Sequence, residues 1–565
     1  MELTSQQMAA AHSPAPVTLV PSGAGSGKTR VLVERVMWLL DEGATPDELC
    51  IVTFTQAAAL ELKQRIDPKN IVGLKFAHIG TLHSLLLKLL RRHGHLLGLP
   101  AELTVMSEDE ADAQLQGIAT SLKVKASMKL MNKLVAKHIQ RASFDPGDFG
   151  KKATCAQEFV RQMKQTGELS YDALLELGHR LIVTHPEVAP FKHILWDEKQ
   201  DSAVTDWRIF HALKCETKFC VGDPRQRIYS FRGASDGFER MMADPGVTQC
   251  PISTNFRSSV AVVAAANRLL PHQEPRPGAP QGAVTLKRYD SAAAEVSAVA
   301  CACAALPQEA TIAVLLRTNK ACDLFRAALL PFGVKAEERN EAKGDDEKLG
   351  VAMLRAMCAP HNDRAVLALV KVAGGRADAL KAEAAKRVCS IGSLLNFDYD
   401  CLYLAVEEPD NIGRLAHNFC VGALDLKCAS RFRDAQHWLQ NLATRLPLPC
   451  SLGDLLLLAT QPEPERSRGR IHLGTVHSFK GLEADYVYLP AFEDEVWPGR
   501  KEGEELDEEK RLAYVAVTRA RLECHMSWCA ERPGDYAAWK VEKRTPSRFA
   551  VMAGNVRVSS AENPK

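Results

Sequence analysis

The stretch "VPSGAGSGKTRVL" at residues 20–32 decides the fold, because it places three glycines, a lysine and a threonine directly after the apolar run at 17–20. Glycine loses more conformational freedom on folding than any other residue, so such a cluster needs a physical reason. A phosphate-cradling loop provides one, since its backbone N–H groups must turn toward one anion and side chains would block the approach. The stretch therefore predicts a strand, a P-loop and a helix that together bind a nucleotide.

Two residues of the P-loop carry the expected chemistry. Lys28 is predicted to contact the β- and γ-phosphates, and Thr29 is predicted to bind Mg²⁺. The strict pattern has glycine six residues before the lysine, whereas this sequence has Ser22. The loop residues expected around the phosphates are Ser22, Gly23, Ala24, Gly25, Ser26 and Gly27.

Composition limits the class of protein. The chain has 565 residues, 46% of them hydrophobic and 25% charged, so it can bury several hydrophobic cores. Its length predicts about three or four domains. Its net charge is only +2, so a polyanion must be met by local basic surface. Sixteen cysteines without a C-x-x-C pair are typical of buried thiols in a reducing compartment. Because no run approaches the ~18 apolar residues of a membrane span, we expect a cytoplasmic protein without a membrane partner.

Apolar strand candidates that end in polar residues alternate with helical stretches, which is typical of an α/β protein with doubly wound parallel sheets. One set lies at 17–20, 49–55, 75–80, 193–198 and 218–223, and a second at 283–289, 311–319, 470–478, 485–492 and 522–529. A mostly helical stretch interrupts each set. We therefore predict a first sheet domain at 1–88 and 191–262 with an insert at 89–190, a second at 263–350 and 465–550 with an insert at 351–464, and a short tail at 551–565.

The stretch "HILWDEKQD" at 193–201 supplies the acidic element that a P-loop requires. Asp197 leaves an apolar strand where a Mg²⁺ ligand belongs, and Glu198 is expected to orient and deprotonate the attacking water. The alternative is that both acids merely cap a strand at a solvated edge. Gln226 follows another predicted strand, where it is expected to touch the γ-phosphate. Lys199, beside the two acids, is expected to alter their local field.

An ordered series of motifs resembles that of the UvrD/Rep-type superfamily 1 DNA helicases. The motifs are "LTSQQ", "SGAGSGKTR", "TFTQAAALEL", "GTLHS", "DEKQD", "GDPRQRIYSFRGA", "NFRSS", "TVHSFKGLEADYV" and "EEKRLAYVAVTRAR", and they span residues 3–521. Their order, more than any single motif, makes the resemblance specific. It implies two RecA-like P-loop motor domains, each with a mostly helical insert, with ATP and Mg²⁺ in the cleft between them and single-stranded DNA across their top.

The resemblance also implies roles for individual residues around ATP. Gln7 would read the adenine edge, Arg30 and Phe256 would cover the two faces of the base, and Glu483 would bond the ribose. Arg257 and Arg519 would reach the γ-phosphate from opposite sides of the cleft, Arg519 as an arginine finger. With the γ-phosphate sensor included, the predicted catalytic residues are Lys28, Glu198, Gln226, Arg257 and Arg519.

Aromatic residues in the matching motifs are expected to contact DNA. Phe54, His83, Tyr229 and Phe231 fall at predicted loops after strands of the first motor, where the resemblance places single-strand contacts. Stacking on an aromatic ring is worth ~1–3 kcal/mol per base and tolerates any sequence. Core packing is the alternative for each ring taken singly.

A basic stripe is predicted without help from the resemblance. In "KVKASMKLMNKLVAKHIQR" at 123–141 lysines recur every four residues, and Leu130, Leu134 and Val135 supply an apolar side. One helix would thus present a row of cations, which we expect to follow the phosphate backbone of a duplex. The alternative is a solvated lysine face. The lysines of the stripe are Lys125, Lys129, Lys133 and Lys137.

The resemblance implies an ATP-dependent DNA helicase that moves 3′→5′ in DNA replication, repair or recombination. Its partners would be single-stranded DNA, single-strand/duplex junctions, and replication or repair proteins. Three alternatives stay open: a translocase that displaces proteins or serves as a motor subunit without unwinding, an RNA-directed superfamily 1 helicase, and a P-loop scaffold that binds nucleotide as a switch. The complete set of predicted catalytic residues argues against the scaffold.

Overall fold

In the computed structural model of the chain, the described residues are 3–66, 78–100, 102–106, 108–125, 127–140, 150–230, 233–329, 345–358, 429–443, 470–533 and 541–554, with single positions in the second insert. The described strands are β1 (Val17–Pro21), β2 (Leu49–Thr53), β3 (His78–Thr81), β4 (Thr104–Val105), β5 (Glu168–Leu169), β6 (His193–Trp196), β7 (Thr217–Gly222), β8 (Thr248–Gln249), β9 (Thr254–Asn255), β10 (Glu274–Pro275), β11 (Ala283–Ser291), β12 (Ile312–Leu316), β13 (Ile471–Thr475), β14 (Ala484–Leu489), β15 (Ala520–Pro533) and β16 (Val541–Lys543).

The described α-helices are numbered along the chain in the same way. They are α1 (Ser5–Ala11), α2 (Lys28–Asp41), α3 (Gln56–Ile66), α4 (Leu82–His93), α5 (Glu108–Ser121), α6 (Met128–Gln140), α7 (Lys151–Thr166), α8 (Tyr171–Thr184), α9 (Val204–Ala212), α10 (Gly237–Ala243), α11 (Val260–Leu269), α12 (Ala292–Ala305), α13 (Asn319–Leu329), α14 (Asp345–Cys358), α15 (Ala429–Ala443), α16 (Gly503–Val517) and α17 (Arg548–Gly554). None of these described helices is long and apolar enough to cross a membrane.

The first sheet has the strand order β3–β2–β6–β7–β1–β8, and all its pairs are parallel. Its inner strands are apolar throughout because both faces are covered, as is usual for parallel sheets. Successive side chains enter different cores: Ile194 packs with α4 and α8, whereas Leu195 packs with Val31 and Val36 of α2. This alternation explains why sequence positions on both faces of the strands are hydrophobic.

The second sheet has the order β11–β15–β14–β12–β13, all parallel, and β16 pairs antiparallel with β15. Helices α11, α16 and α17 contribute to the core on one face, and α12 and α13 contribute to the core on the other. The predicted fold class, α/β with two RecA-like parallel-sheet domains, is therefore confirmed. The domain boundaries given above stay predictions.

Helix α6 of the first insert corrects one sequence prediction. It begins at Met128, so Lys125 lies before the helix and not on it. Helix α5 ends at Ser121, Lys123 adopts a left-handed backbone with φ of 54°, and the Ser127 hydroxyl accepts the Leu130 N–H at 3.4 Å. This turn breaks the four-residue period that the lysines alone suggest.

The apolar side of α6 is as predicted. Leu134 and Val135 are buried, and Leu130 packs against the same core. That core is continuous with one face of the first sheet through α4 and α8. The helix is therefore fixed to the first sheet domain through packed side chains.

The ten cysteines among the described residues are free thiols, and most of them are buried. Burial raises the pKa of several of them, including Cys220 to about 12, so they are protonated and unreactive at neutral pH. Their environment matches the prediction of buried thiols.

His472 makes the second sheet sensitive to acid. It is buried in β13 with its ring 4.7 Å from that of Phe479, and burial lowers the pKa of His472 to about 4. A histidine with a lowered folded-state pKa contributes full stability above its unfolded pKa of about 6.5 and loses it as the pH falls toward the folded value. Its neutral form is therefore required by the fold.

We predict that His472→Leu will reduce the acid sensitivity of the second sheet domain. At about pH 5 the free energy of unfolding of the histidine protein is lowered by roughly 2 kcal/mol relative to neutral pH, because the unfolded state binds a proton that the folded state does not. Leucine binds no proton, so the variant lacks this loss. Thermal unfolding midpoints measured near pH 7.5 and pH 5 check this, with His95→Leu on the exposed surface as the control. An equal acid shift in both variants would contradict the prediction.

Candidate functional site

The P-loop connects the end of β1 to the start of α2. Gly25 and Gly27 have φ of 67° and 82°, a left-handed conformation that glycine adopts without strain. A side chain at Gly25 would also place its Cβ 2.6 Å from the Cβ of Arg257. Lys28 is the first residue of α2 and Thr29 the second, so both lie where the helix N-terminus favours an anion.

The acidic pair lies beside the P-loop at the end of β6. The Asp197 N–H donates to the Val52 carbonyl at 2.9 Å, which extends the pairing of β6 with β2 by one residue. Glu198 then takes a left-handed conformation with φ of 47°, and its N–H donates to Asp197 Oδ1 at 2.9 Å. Lys28 Nζ lies 3.3 Å from Glu198 Oε1. The turn therefore directs the glutamate toward the P-loop.

The two acids have opposite electrostatic environments. Burial, followed by the charge of Glu198, raises the pKa of Asp197 to about 7. Burial alone would raise the pKa of Glu198 as well, but the charges of Lys28 and Lys480 outweigh it and hold that pKa at about 2. Asp197 is thus a buried carboxyl that a cation would stabilise as an anion, and with the hydroxyl of Thr29 it offers the oxygen ligands that Mg²⁺ prefers.

Lys199 does not act on these acids as the sequence suggests. Its side chain is fully buried on the opposite side of the turn, and Nζ lies 3.5 Å from the centroid of Trp196, 4.0 Å from Trp207 and 4.4 Å from Phe210. The ammonium has no hydrogen-bond partner in the described part of the chain. Burial lowers the pKa of Lys199 to about 7. The expectation that Lys199 alters the field of the acids is therefore wrong: its amine lies among three aromatic rings instead.

Two cations from the second sheet domain reach the end of β7. Arg519 Nη2 donates to Gln226 Oε1 at 3.2 Å, and Lys480 Nζ donates to the Gln226 carbonyl at 2.7 Å. Lys480 also pairs with Asp201 at 2.5 Å. Burial, followed by the charge of Arg257, lowers the pKa of Arg519 to about 9, which remains above neutral pH. Gln226 thus lies where both domains meet.

Arg257 and Glu483 lie next to this contact. Arg257 forms an ion pair with Glu483, and its Nη1 donates to the Thr518 carbonyl at 3.4 Å. Glu483 also accepts from Arg521 Nε at 2.9 Å. Arg257 and Arg519 are therefore brought together through Thr518, whose hydroxyl accepts from Arg519 Nη2 at 3.2 Å.

The residues expected at the adenine surround the P-loop. Gln7 Nε2 donates to the Ser26 carbonyl at 2.9 Å, while its Oε1 accepts the Thr4 N–H at 3.0 Å. The Phe256 N–H donates to the Gly25 carbonyl at 2.9 Å. Arg30 lies half-buried in the first turn of α2. The structure therefore places Gln7, Phe256 and Arg30 along one short loop.

Three polar residues at this loop were not predicted. Asn255 Nδ2 donates to the Ala24 carbonyl at 2.9 Å, and the Tyr514 hydroxyl is hydrogen-bonded to the amide of Gln273. Asn255 and Tyr514 lie inside motifs quoted above, so those motifs carry a signal for them. Gln273 lies in "PHQEP" at 271–275 and has no sequence signal.

Phe54 and Tyr229 form a stacked aromatic pair. Their ring centroids are 5.4 Å apart with an interplanar angle of 16°, and Phe54 is 40% exposed. The Tyr229 hydroxyl donates to the His477 carbonyl of the second sheet domain at 3.4 Å, and Lys480 Nζ lies 4.7 Å from the Tyr229 ring. Phe54 is thus an exposed ring stacked on a second ring that lies beside a cation.

The remaining nucleic-acid candidates have different environments. His83 lies in the first turn of α4 and not in a loop, because the Thr81 hydroxyl caps this helix by accepting the Ser84 N–H. Its ring makes an edge contact with Tyr171 at 5.4 Å, and burial lowers the pKa of His83. Phe231 lies outside the described residues. Lys133 is exposed on α6 and Lys137 is half-buried there.

A second acidic group lies in the second sheet domain, where Glu295, Glu493 and Cys529 bring ligand atoms close together. Arg532 pairs with both carboxylates, and its Nε lies 3.0 Å from each oxygen of Glu493. The arginine already supplies the positive charge. We therefore assign this group to the stability of the sheet.

Comparisons with known proteins agree with this geometry. The model of the UvrD/REP helicase N-terminal domain matches residues 3–241, and that of the UvrD-like helicase C-terminal domain matches residues 435–531. A probable DNA helicase II homolog of Rickettsia felis is 26% identical, with 96% of this chain and 94% of the relative covered. DNA helicase II of Escherichia coli is 26% identical over 94% of this chain and 85% of its own length. ATP-dependent DNA helicase UvrD1 of Mycobacterium tuberculosis is 26% identical, with 98% and 88% covered.

We predict different effects for the two sides of the Lys28–Glu198 pair. Lys28→Ala should abolish nucleotide hydrolysis, because it removes the charge that stabilises the transferring phosphoryl group. Glu198→Gln should keep nucleotide binding while hydrolysis falls by at least ~10²-fold, as expected when a general base is removed. Phosphate release and binding of a fluorescent nucleotide analogue measure the two effects. Normal hydrolysis by the Glu198→Gln variant would show that another group activates water.

Proposed function

The chain belongs to the UvrD/Rep family of superfamily 1 helicases, and from this premise we propose that it is an ATP-dependent DNA helicase. The observation that carries the proposal is that Arg519 and Lys480 of one domain bond Gln226 of the other, beside the Lys28–Glu198 pair on whose glutamate the charge of Lys480 acts. Groups divided between two domains make hydrolysis depend on closure of the cleft. A motor requires such dependence.

The roles in hydrolysis follow from position and charge. Lys28 binds the β- and γ-phosphates, and Arg519 stabilises the transition state from the second motor. Glu198 orients and deprotonates water, and the oxygens of Thr29 and Asp197 would hold Mg²⁺, which would supply positive charge at the phosphates. Gln226, which is bonded to Arg519, reports the γ-phosphate to the second motor.

The roles at the base rest on the residues around the P-loop. Gln7 reads the adenine edge, and Arg30 and Phe256 cover the two faces of the ring. Glu483, which pairs with Arg257 and Arg521, exchanges its bond to Arg257 for one to the ribose hydroxyl. Arg257 is thereby released toward the γ-phosphate.

Lys480 connects the nucleotide to the DNA. Its ammonium is paired with Asp201 beside the acidic pair and lies over the ring of Tyr229. Phe54 and Tyr229 stack the bases of single-stranded DNA, with His83 and Phe231 as further contacts. A base that displaces Tyr229 would move its ring away from Lys480, which changes the surroundings of the cation whose charge acts on Glu198.

Direction and pathway extend the proposal further. We propose 3′→5′ movement on single-stranded DNA and action at single-strand/duplex junctions in replication, repair or recombination, with proteins of those processes as partners. The cytoplasmic location stays a prediction from the sequence.

ATPase assays without nucleic acid, with single-stranded DNA and with single-stranded RNA test the proposal. We expect strong stimulation by DNA and weak stimulation by RNA. Duplexes with a 3′ or a 5′ single-stranded tail then report unwinding, and only the 3′-tailed duplex should be separated. Stimulation by RNA alone would favour the RNA-directed alternative, and DNA-stimulated hydrolysis without strand separation would favour a translocase.

We also propose that the lysines around α6 contact the duplex ahead of the motor. Lys133 is exposed on this helix, whose apolar side is fixed to the first motor, so the cations move with the motor. A row of cations gains affinity for a polyanion through release of counterions. Lys125 adds a charge just before the helix.

Changing Lys125, Lys129, Lys133 and Lys137 together to Gln should weaken duplex binding and slow unwinding. The slope of log affinity against log salt should become shallower by up to about 0.9 for each phosphate that is no longer neutralised. ATPase stimulated by single-stranded DNA should persist, because the stacked pair is unchanged. The control changes four exposed lysines elsewhere to Gln, namely Lys214, Lys287, Lys320 and Lys543. Equal salt slopes in both variants would favour the alternative, in which the lysines only form a solvated face of the helix.

A further inference from the structure

A buried hydrogen-bond network ties helix α16 to the P-loop at Ala24. Tyr514 of α16 is fully buried, and its hydroxyl is hydrogen-bonded to the side-chain amide of Gln273. The Gln273 amide spans the same peptide, lying 3.2 Å from the nitrogen and 3.1 Å from the carbonyl oxygen of Ala24. The second motor thus contacts the phosphate-binding loop directly, at a point distinct from the lysine and arginine contacts described above.

The loop cannot shift easily at this point. A Cβ atom added to Gly23 would lie 2.7 Å from the Gln273 Cγ, so the glutamine side chain is packed against the loop backbone. Asn255 bonds the Ala24 carbonyl and, through Oδ1, accepts the Arg257 N–H at 2.9 Å. Gln273 itself is held by Asn267 of α11, whose Nδ2 donates to its carbonyl at 2.6 Å. Helix α11 packs in the same core as α16.

Tyr514 and Arg519 share the C-terminal end of α16. The Tyr514 carbonyl accepts the Thr518 N–H at 3.0 Å, and the Val515 carbonyl accepts from Arg519 Nε at 3.0 Å. The position of Arg519 relative to the P-loop therefore depends on where α16 is held. The bond from the Tyr514 hydroxyl to Gln273, whose amide lies against Ala24, connects this end of the helix to the loop.

We propose that Tyr514 is a positioning residue that sets the distance between the P-loop and Arg519 when the motors close. It does not touch the phosphates; it acts through Gln273 and Ala24 on one side and through the turn that carries Arg519 on the other. Misplacement of a catalytic group by about 1 Å can lower the rate ~10²-fold, so the loss of one hydrogen bond at this point can slow hydrolysis strongly. This inference rests on the proposed hydrolysis of ATP.

Tyr514→Phe removes only the hydroxyl and tests the inference. We expect the DNA-stimulated kcat to fall about tenfold, with KM for ATP changed less than about twofold, because closure is impaired and binding is not. The matched control is Tyr488→Phe, a buried tyrosine of β14 whose ring stacks on His525 at 5.0 Å. An effect on KM alone, or equal kinetics of both variants, would overturn the inference.

The Arg519→Ala background separates positioning from a general effect on the P-loop. If Tyr514 acts by placing Arg519, adding Tyr514→Phe to Arg519→Ala should slow hydrolysis no further. Losses that multiply would mean that Tyr514 acts on the P-loop alone, which would also overturn the inference.

Gln273→Met removes the same bond from its other side and leaves α16 unchanged. It should reproduce the fall in kcat, and normal kinetics would overturn the inference even if Tyr514→Phe fails to fold. The failure of the proposed function is distinguishable: an unmodified protein that hydrolyses no ATP ends that proposal, whereas an active protein with a Tyr514→Phe variant matching its control ends only this one.

Discussion

Parallel strands deliver their carboxyl ends to one edge of a sheet, and the whole cleft depends on this constraint. In the first sheet β1 ends in the P-loop, β6 ends at the acidic pair and β7 leads to Gln226. Strand β2 ends at the same edge and places Phe54 there. Nucleotide chemistry and base stacking are therefore neighbours, because both occupy one edge of the sheet.

Closure between the two domains is built from contacts of different chemical kinds. Lys480 contributes an ion pair, Arg519 a hydrogen bond to the Gln226 amide, and Tyr514 a buried hydrogen bond between its hydroxyl and the Gln273 amide. Salt and charge affect the first most and the last least, since a buried neutral hydrogen bond is not screened. The Lys480 ion pair therefore responds to charge at the nucleotide, whereas the Tyr514 hydrogen bond keeps α16 in place.

The parts of this architecture that could be predicted from sequence are those fixed by local chemistry. The P-loop needs glycine at Gly25 and Gly27 because their backbone is left-handed, and the strands of both sheets are readable because burial on two faces leaves uninterrupted apolar runs. Asp197 was readable as the first polar residue after such a run. In each case the signal lies within a few residues of the feature.

The parts that could not be predicted depend on contacts between distant segments. Gln273 has no local pattern, and its role exists only because α11 brings it to the P-loop from the second domain. Lys125 has the four-residue spacing of the other lysines. It nevertheless lies outside α6, because the chain turns at the left-handed Lys123 and the helix begins only at Met128. His83 follows a strand, but a threonine cap starts the helix before any loop can form. Tertiary packing and capping decide these positions.

The caged lysine has a chemical consequence of its own. Burial lowers the pKa of Lys199 to about 7, so part of the amine is uncharged near neutral pH and nucleophilic toward acylating reagents, but its side chain is fully buried between three aromatic rings. It can react only when local opening separates it from Trp196 or from Trp207 and Phe210 of α9. The rate at which this amine is labelled therefore measures how often the protein opens locally around Lys199, next to Glu198.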